Sequence, residues 1–199
     1  MTKETPLVSG GYYHIYNRGN NRENIFHEAR NYDHFLRLYA KHIFAVANTY
    51  AYCLLKNHFH FLVRIKEDLS GFPNTTDLSK PFSNFFNAYA RTFNNAYSRS
   101  GALFERPFER VPVTTNTHFV RLITYIHQNP QKHGFVSDFR EWPYSSYHAL
   151  LSHKATRLQR DAVLEWFLEW FNDREQLEAA HQMMITEQDV AALAPDDFD

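Results

Sequence analysis

Two periodicities alternate along the first 130 residues, and their order limits the fold more than any other feature. GYYHIYNR (11–18) is β-branched and aromatic and reads as a strand. Turn chemistry follows in GNNREN. In NYDHFLRLYAKHIFAVAN, Phe35, Leu38, Tyr39, His42, Ile43 and Val46 recur at helical spacing. TYAYCLLKN and HFHFLVRIK read as two strands joined by a tight turn at Lys56 and Asn57. After the loop EDLSGFPNTTDLSKP, FSNFFNAYARTFNNAYSR predicts a second helix, ended by Ser100 and Gly101. ALFERPFERVPVT predicts a pair of short strands that Pro107 and Pro112 hold to an edge or a bulge. NTHFVRLITYIHQNP predicts a third helix, capped by Asn116 or Thr117 and closed by Pro130.

The order β-α-β-β-α-β-β-α specifies an α+β fold. It is a ferredoxin-like (RRM-like) antiparallel sheet with helices packed on one face. WPYSSYHALLS then reads as an ordered arm, and RDAVLEWFLEWF and DREQLEAAHQMM as tail helices. The division expected is one domain over 1–150 and an acidic, mainly helical C-terminal extension over 151–199.

Net charge is −1, yet the charge is segregated. Residues 1–160 hold 20 of the 21 Lys and Arg but only 11 of the 22 Asp and Glu, a balance of +9. Residues 161–199 carry −10. A basic body of this kind has the footprint of a phosphate-binding surface. The acidic extension reads as a solvated helix pair, a protein-contact surface, or a competitor with DNA for the basic body, and the alternative to competition is a structural cover docked through Trp166, Phe167, Trp170 and Phe171. The single cysteine, Cys53, permits no internal disulfide, and MTKETPLVSGG has no apolar leader. No stretch approaches the roughly 18 apolar residues of a membrane span. A cytoplasmic, nucleoid-associated protein without membrane contact is expected, as monomer or homodimer.

Within LLKNHFHFLVRI, His58 and His60 are two residues apart on a predicted strand and therefore share a face. Two imidazoles so placed can hold one metal ion. With 12 histidines in the chain, the triplet alone says little. Its place in the second strand of a central hairpin, where neighbours converge, gives it weight. The expected geometry brings both rings toward one point open to solvent. On the third helix, TYIHQNP puts Asn129 roughly 40° from Tyr125 around the axis and Gln128 about 60° away on the other side. A phenol and a carboxamide thus share a helix face. A tyrosine nucleophile beside a metal held by two histidines and an amide oxygen is suited to phosphoryl transfer.

NHFHFLV with a distal YIHQNP resembles the single-tyrosine HUH transposases, and among them the REP-associated tyrosine transposases. YHIYNRGNNRENIF, LFERPFERVPV, KHGFV and WPYSSY extend the resemblance over about residues 8 to 150. It implies a ferredoxin-like fold and a divalent metal, Mg²⁺ or Mn²⁺. It also implies strand-specific cleavage and rejoining of single-stranded DNA beside hairpins, through a tyrosine linked to the 5′ phosphate. Carried over, His58 and His60 are metal ligands and Tyr125 is the nucleophile. The insertion-sequence branch carries glutamine four residues after its tyrosine. Here Asn129 stands at that position and Gln128 one residue earlier, so Asn129 is the expected third ligand and Gln128 the alternative.

Arg18, Asn20, Asn21 and Arg22 in the turn after the first strand suit phosphate and base-edge contacts. Arg64 extends the histidine strand, and Arg106 and Arg110 lie in FERPFERV. Two other functions fit the same residues. One is a domesticated protein that binds single-stranded or hairpin DNA without turnover. The other is a metal-dependent hydrolase using water as nucleophile.

Overall fold

The computed structural model describes residues 5–70, 72, 77–105, 107–168, 178, 179 and 181. The elements are β1 (Tyr12–Arg18), α1 (Ala29–Ile43), β2 (Ala47–Leu54), β3 (His58–Ile65), α2 (Lys80–Ala96), β4 (Glu109–Val113), α3 (Asn116–Lys132), α4 (Tyr147–Leu151) and α5 (Arg160–Leu168). The strands form one sheet in the order β2-β3-β1-β4, and every neighbouring pair is antiparallel. β3 thus lies between β1 and β2, which is the split β-α-β arrangement of the ferredoxin-like fold.

The sheet is covered on both faces, not on one as the element order suggests. Tyr13, Ile15, Phe59, Phe61 and Val63 pack against α1 and α2 in one apolar cluster. Phe35 is at its centre, with ring centroids 5.1 Å from Phe59, 4.6 Å from Phe85 and 4.8 Å from Tyr89. Such pairs contribute about 0.5–1.5 kcal/mol each beyond their burial. Tyr16, Cys53 and Leu62 on the opposite face pack against Phe119, Leu122 and Ile126 of α3, together with Val163 and Phe167 of α5. Seven of the eight residues of β3 are buried, the pattern of a strand covered on both sides.

Three element boundaries differ from the sequence expectation. α1 stops at Ile43, although FAVAN continues its apolar period, because Ala47 instead pairs with Ile65 and starts β2. α3 is capped by Thr115, which accepts a 3.1 Å hydrogen bond from His118 N, and it runs through Pro130 to Lys132. Of the two strands expected in ALFERPFERVPVT, only β4 forms among the described residues. Phe104 makes an isolated bridge with Gly19. Pro112 is on the edge strand, where its missing N–H costs no ladder bond on the open side.

The start of the C-terminal extension is part of the second cluster. Trp166 packs on Phe119 with centroids 4.4 Å apart, and Phe167 is 2% exposed. Trp170 and Phe171 lie outside the described residues. Among those described, no helix is long and apolar enough to cross a membrane.

Candidate active site

The register of β1 with β3 sets Tyr16 opposite His60 and Arg18 opposite His58. Alternation along β3 turns both histidines toward α3, while Phe59 enters the other core. α3 crosses this face and brings Tyr125 to the histidines. The ring centroids of His60 and Tyr125 are 5.6 Å apart, and those of His58 and His60 are 5.1 Å apart. The sheet and the helix thus bring together His58, His60 and Tyr125. The point where they meet is covered, contrary to the open site expected: His58 is 7% exposed, His60 0%, Tyr125 1% and Asn129 0%. The covering groups include polar rings and a cation as well as hydrocarbon. His14 stacks on His60 at 5.1 Å, the exposed His133 lies 4.8 Å from His58, and Lys132 Nζ stands 5.3 Å from the Tyr125 ring centre.

The hydrogen bonds leave particular atoms for other work. His58 Nδ1 lies 2.7 Å from Asn57 Oδ1, an oxygen that can only accept, so Nδ1 carries the proton and Nε2 the lone pair. His58 Nε2 is buried and makes no hydrogen bond. Asn129 donates from Nδ2 to the Tyr125 carbonyl at 3.1 Å, and its buried Oδ1 accepts nothing. His60 Nδ1 is 3.0 Å from His14 Nε2. Buried polar atoms are nearly always paired, so an acceptor nitrogen and an amide oxygen left over on facing elements are groups that could ligate a cation. The donor set of two imidazole nitrogens and one amide oxygen fits a divalent ion. Among the described residues, no three His, Cys, Asp or Glu side chains form a metal-holding group.

Burial lowers the His58 pKa to about 3, helped by His133 and partly opposed by the Asn129 amide beside it. Burial also pushes His60 well below the usual histidine range, with His14 next in effect. Both rings are therefore neutral at physiological pH, the form that ligates metals.

Gln128 turns elsewhere. Its Nε2 donates to the His181 carbonyl at 2.6 Å. The adjacent His127 is buried between His181, at 2.8 Å, and Ser146 Oγ, also at 2.8 Å. This side of α3 anchors the extension and leaves Asn129 on the histidine side.

The expected DNA contacts divide by environment. Arg18 pairs with Glu105 at 3.1 Å. Arg64 pairs with Glu67 at 2.5 Å, donates to the Gly10 carbonyl and stacks on Tyr12. Arg110 lies 4.5 Å over the Phe108 ring. Asn20, Asn21 and Arg22 form a short 3₁₀ turn in which Asn21 and Arg22 have positive φ, 55° and 60°. Asn21 and Arg22 are exposed and Asn20 is half-buried. Arg106 lies outside the described residues.

Sequence reasoning missed His14, Asn57, Lys132 and His133. The alternation in YYHIY places His14 on the face of Tyr16, but nothing local tells that this face meets His60.

The arrangement is a ferredoxin-like sheet with an H-x-H strand facing a tyrosine on a covering helix. No family model matches the chain. It is 31% identical over 104 residues to a Haemophilus influenzae protein named for the REP-associated tyrosine transposases. That match covers 50% of this chain and 58% of the relative. The fold is similar to a solved structure of a REP-associated tyrosine transposase bound to a REP hairpin, with a TM-score of 0.58 at 18% identity over 77% of this chain and 86% of that one. A transposase structure from Deinococcus radiodurans aligns at a TM-score of 0.38 and 17% identity, over 63% of this chain and 95% of that one.

Proposed function

We propose that this chain cleaves and rejoins one strand of DNA at or beside a hairpin, with Tyr125 as nucleophile. The observation that carries the proposal is the meeting of Tyr125, His58 and His60 on one sheet face, with the buried oxygen of Asn129 on the same helix. The similarity in sequence and fold to REP-associated tyrosine transposases supports the substrate class.

In the proposed reaction the Tyr125 hydroxyl gives up its proton and attacks the phosphorus. The Oη–P bond forms as the P–O3′ bond breaks, and the 3′ oxygen leaves and takes a proton. The product is a 5′-phosphotyrosine with a free 3′ hydroxyl, and rejoining is the reverse with a new 3′ end. His58, His60 and Asn129 would hold a Mg²⁺ or Mn²⁺ ion, which supplies Lewis-acid polarisation of a non-bridging phosphate oxygen when bound. Lys132, over the Tyr125 ring, stabilises the negative charge that departure of the phenol proton uncovers. Tyr125 is 1% exposed, so the described arrangement is a closed one and DNA reaches the phenol only when the covering residues shift.

The same burial favours one alternative, a hairpin-binding protein without turnover. Incubating the protein with labelled single-stranded hairpin DNA and Mn²⁺ separates the two. A covalent protein–DNA species on a denaturing gel supports the cleavage reading. Retained binding without it supports the alternative.

A further inference from the structure

We propose that Asn57 and His14 are positioning residues, which fix the tautomers of His58 and His60 so that both rings present Nε2 to the metal. The inference rests on the metal reading above and assigns two residues that reading does not use.

Each histidine is held through its Nδ1. Asn57 Oδ1 lies 2.7 Å from His58 Nδ1, and His14 Nε2 lies 3.0 Å from His60 Nδ1. A neutral imidazole has one N–H, and the Asn57 oxygen can only accept, so His58 carries its proton on Nδ1 and its lone pair on Nε2. The His14–His60 contact is compatible with either direction, and the proposal assigns His14 Nε2 as the acceptor, which gives His60 the same form. Partners of this kind orient the ring and raise its basicity, and losing one typically weakens metal affinity about 10–100-fold.

Both partners are themselves fixed by the fold. Asn57 is in the turn closed by the 2.8 Å bond from Leu55 N to His58 O, and its own carbonyl accepts from Gly19 N at 2.7 Å. Gly19 has no alternative there, since a Cβ would stand 2.0 Å from the Glu23 carbonyl oxygen. His14 is on β1, two residues from Tyr16, which pairs with His60. It is fully buried and packs at a tilt against Tyr16, with ring centroids 4.7 Å apart. The turn therefore positions one ring and the neighbouring strand the other.

Two measurements test this. The first needs no variant: ¹⁵N-histidine spectra of the full chain in chelator report which ring nitrogen carries the proton. Nδ1–H forms of both His58 and His60 are expected, and an Nε2–H form of either ring overturns the assignment for that ring. The second measures Mn²⁺ affinity by electron paramagnetic resonance. Asn57→Leu and His14→Phe should each weaken Mn²⁺ binding about 10–100-fold. Asn57→Asp and His14→Gln, which keep an acceptor, should restore it. Wild-type affinity in Asn57→Leu and His14→Phe overturns the positioning role while leaving the metal reading intact. Wild-type protein that takes up no Mn²⁺ overturns the metal reading and this inference with it.

Discussion

The rings of His60 and Tyr125 stand 5.6 Å apart and 77° from parallel, so the central strand and the third helix meet edge to face at two side chains on which the proposed chemistry depends. Residues 65 positions apart in sequence are in contact only because α3 covers the sheet face opposite α1 and α2.

The amide at the proposed metal position is distinguishable by substitution. Asn129→Ala removes the buried Oδ1 and should weaken Mn²⁺ binding on the order of tenfold or more. Gln128→Ala should leave Mn²⁺ affinity near wild type, because Gln128 is spent on the His181 carbonyl. Titration of free Mn²⁺ against each variant measures both. The reverse pattern would move the third ligand to Gln128.

Stability should fall in acid. Burial lowers the pKa of His58 to about 3 and those of His60 and His127 well below the usual range. The unfolded chain binds protons at these rings below about pH 6.5, and the folded chain does not until far lower pH. Their contribution is therefore whole above about pH 6.5 and lost as pH falls toward 3. The loss approaches about 1.4 kcal/mol per pH unit for each such group. Thermal melts in chelator at pH 7.5 and pH 5.0 should show a clear drop in Tm, and equal values would contradict the buried neutral rings.

The start of the extension is load shared with the core. Phe167→Ala empties a site that is 2% exposed in the cluster under α3, and it should cost about 3–5 kcal/mol. For a chain of this length that lowers Tm by roughly 10 °C. Differential scanning calorimetry measures it, and a shift of one or two degrees would mean that α5 is only loosely applied.

The strand and helix order was legible because periods of two and of about 3.6 alternate cleanly through the first 130 residues. The shared face of His58 and His60 followed from the same alternation. Three things were not legible. The end of α1 was hidden because FAVAN continues a helical apolar pattern, and only pairing with Ile65 converts it into a strand. The run of α3 past Pro130 depends on packing that outweighs one missing donor. His14 became a partner of His60 through the order of the strands, which no local pattern encodes. The covering of the sheet on both faces did leave a sign, the near-continuous apolar run of β3.

The exposed turn after β1 should contribute to DNA affinity without specifying cleavage. Arg22→Ala should weaken hairpin binding across sequences and reduce the salt slope by about 1, as loss of one phosphate contact does. Arg64→Ala should have less effect on the slope, since that guanidinium already faces Glu67. Fluorescence anisotropy at several salt concentrations gives both slopes, and an unchanged slope for Arg22→Ala would remove that turn from the phosphate surface.

The most direct test is the covalent bond itself. Wild-type protein and Tyr125→Phe are incubated with single-stranded hairpin DNA, labelled on the 3′ side of the cleavage point, in Mn²⁺, and then run under denaturing conditions. We predict a labelled protein–DNA adduct for the wild type and none for Tyr125→Phe, with hairpin binding by the variant within a few-fold of wild type because affinity rests on many phosphate contacts. An adduct that persists in Tyr125→Phe, or wild-type protein that binds the hairpin and never forms one, would contradict Tyr125 as the nucleophile.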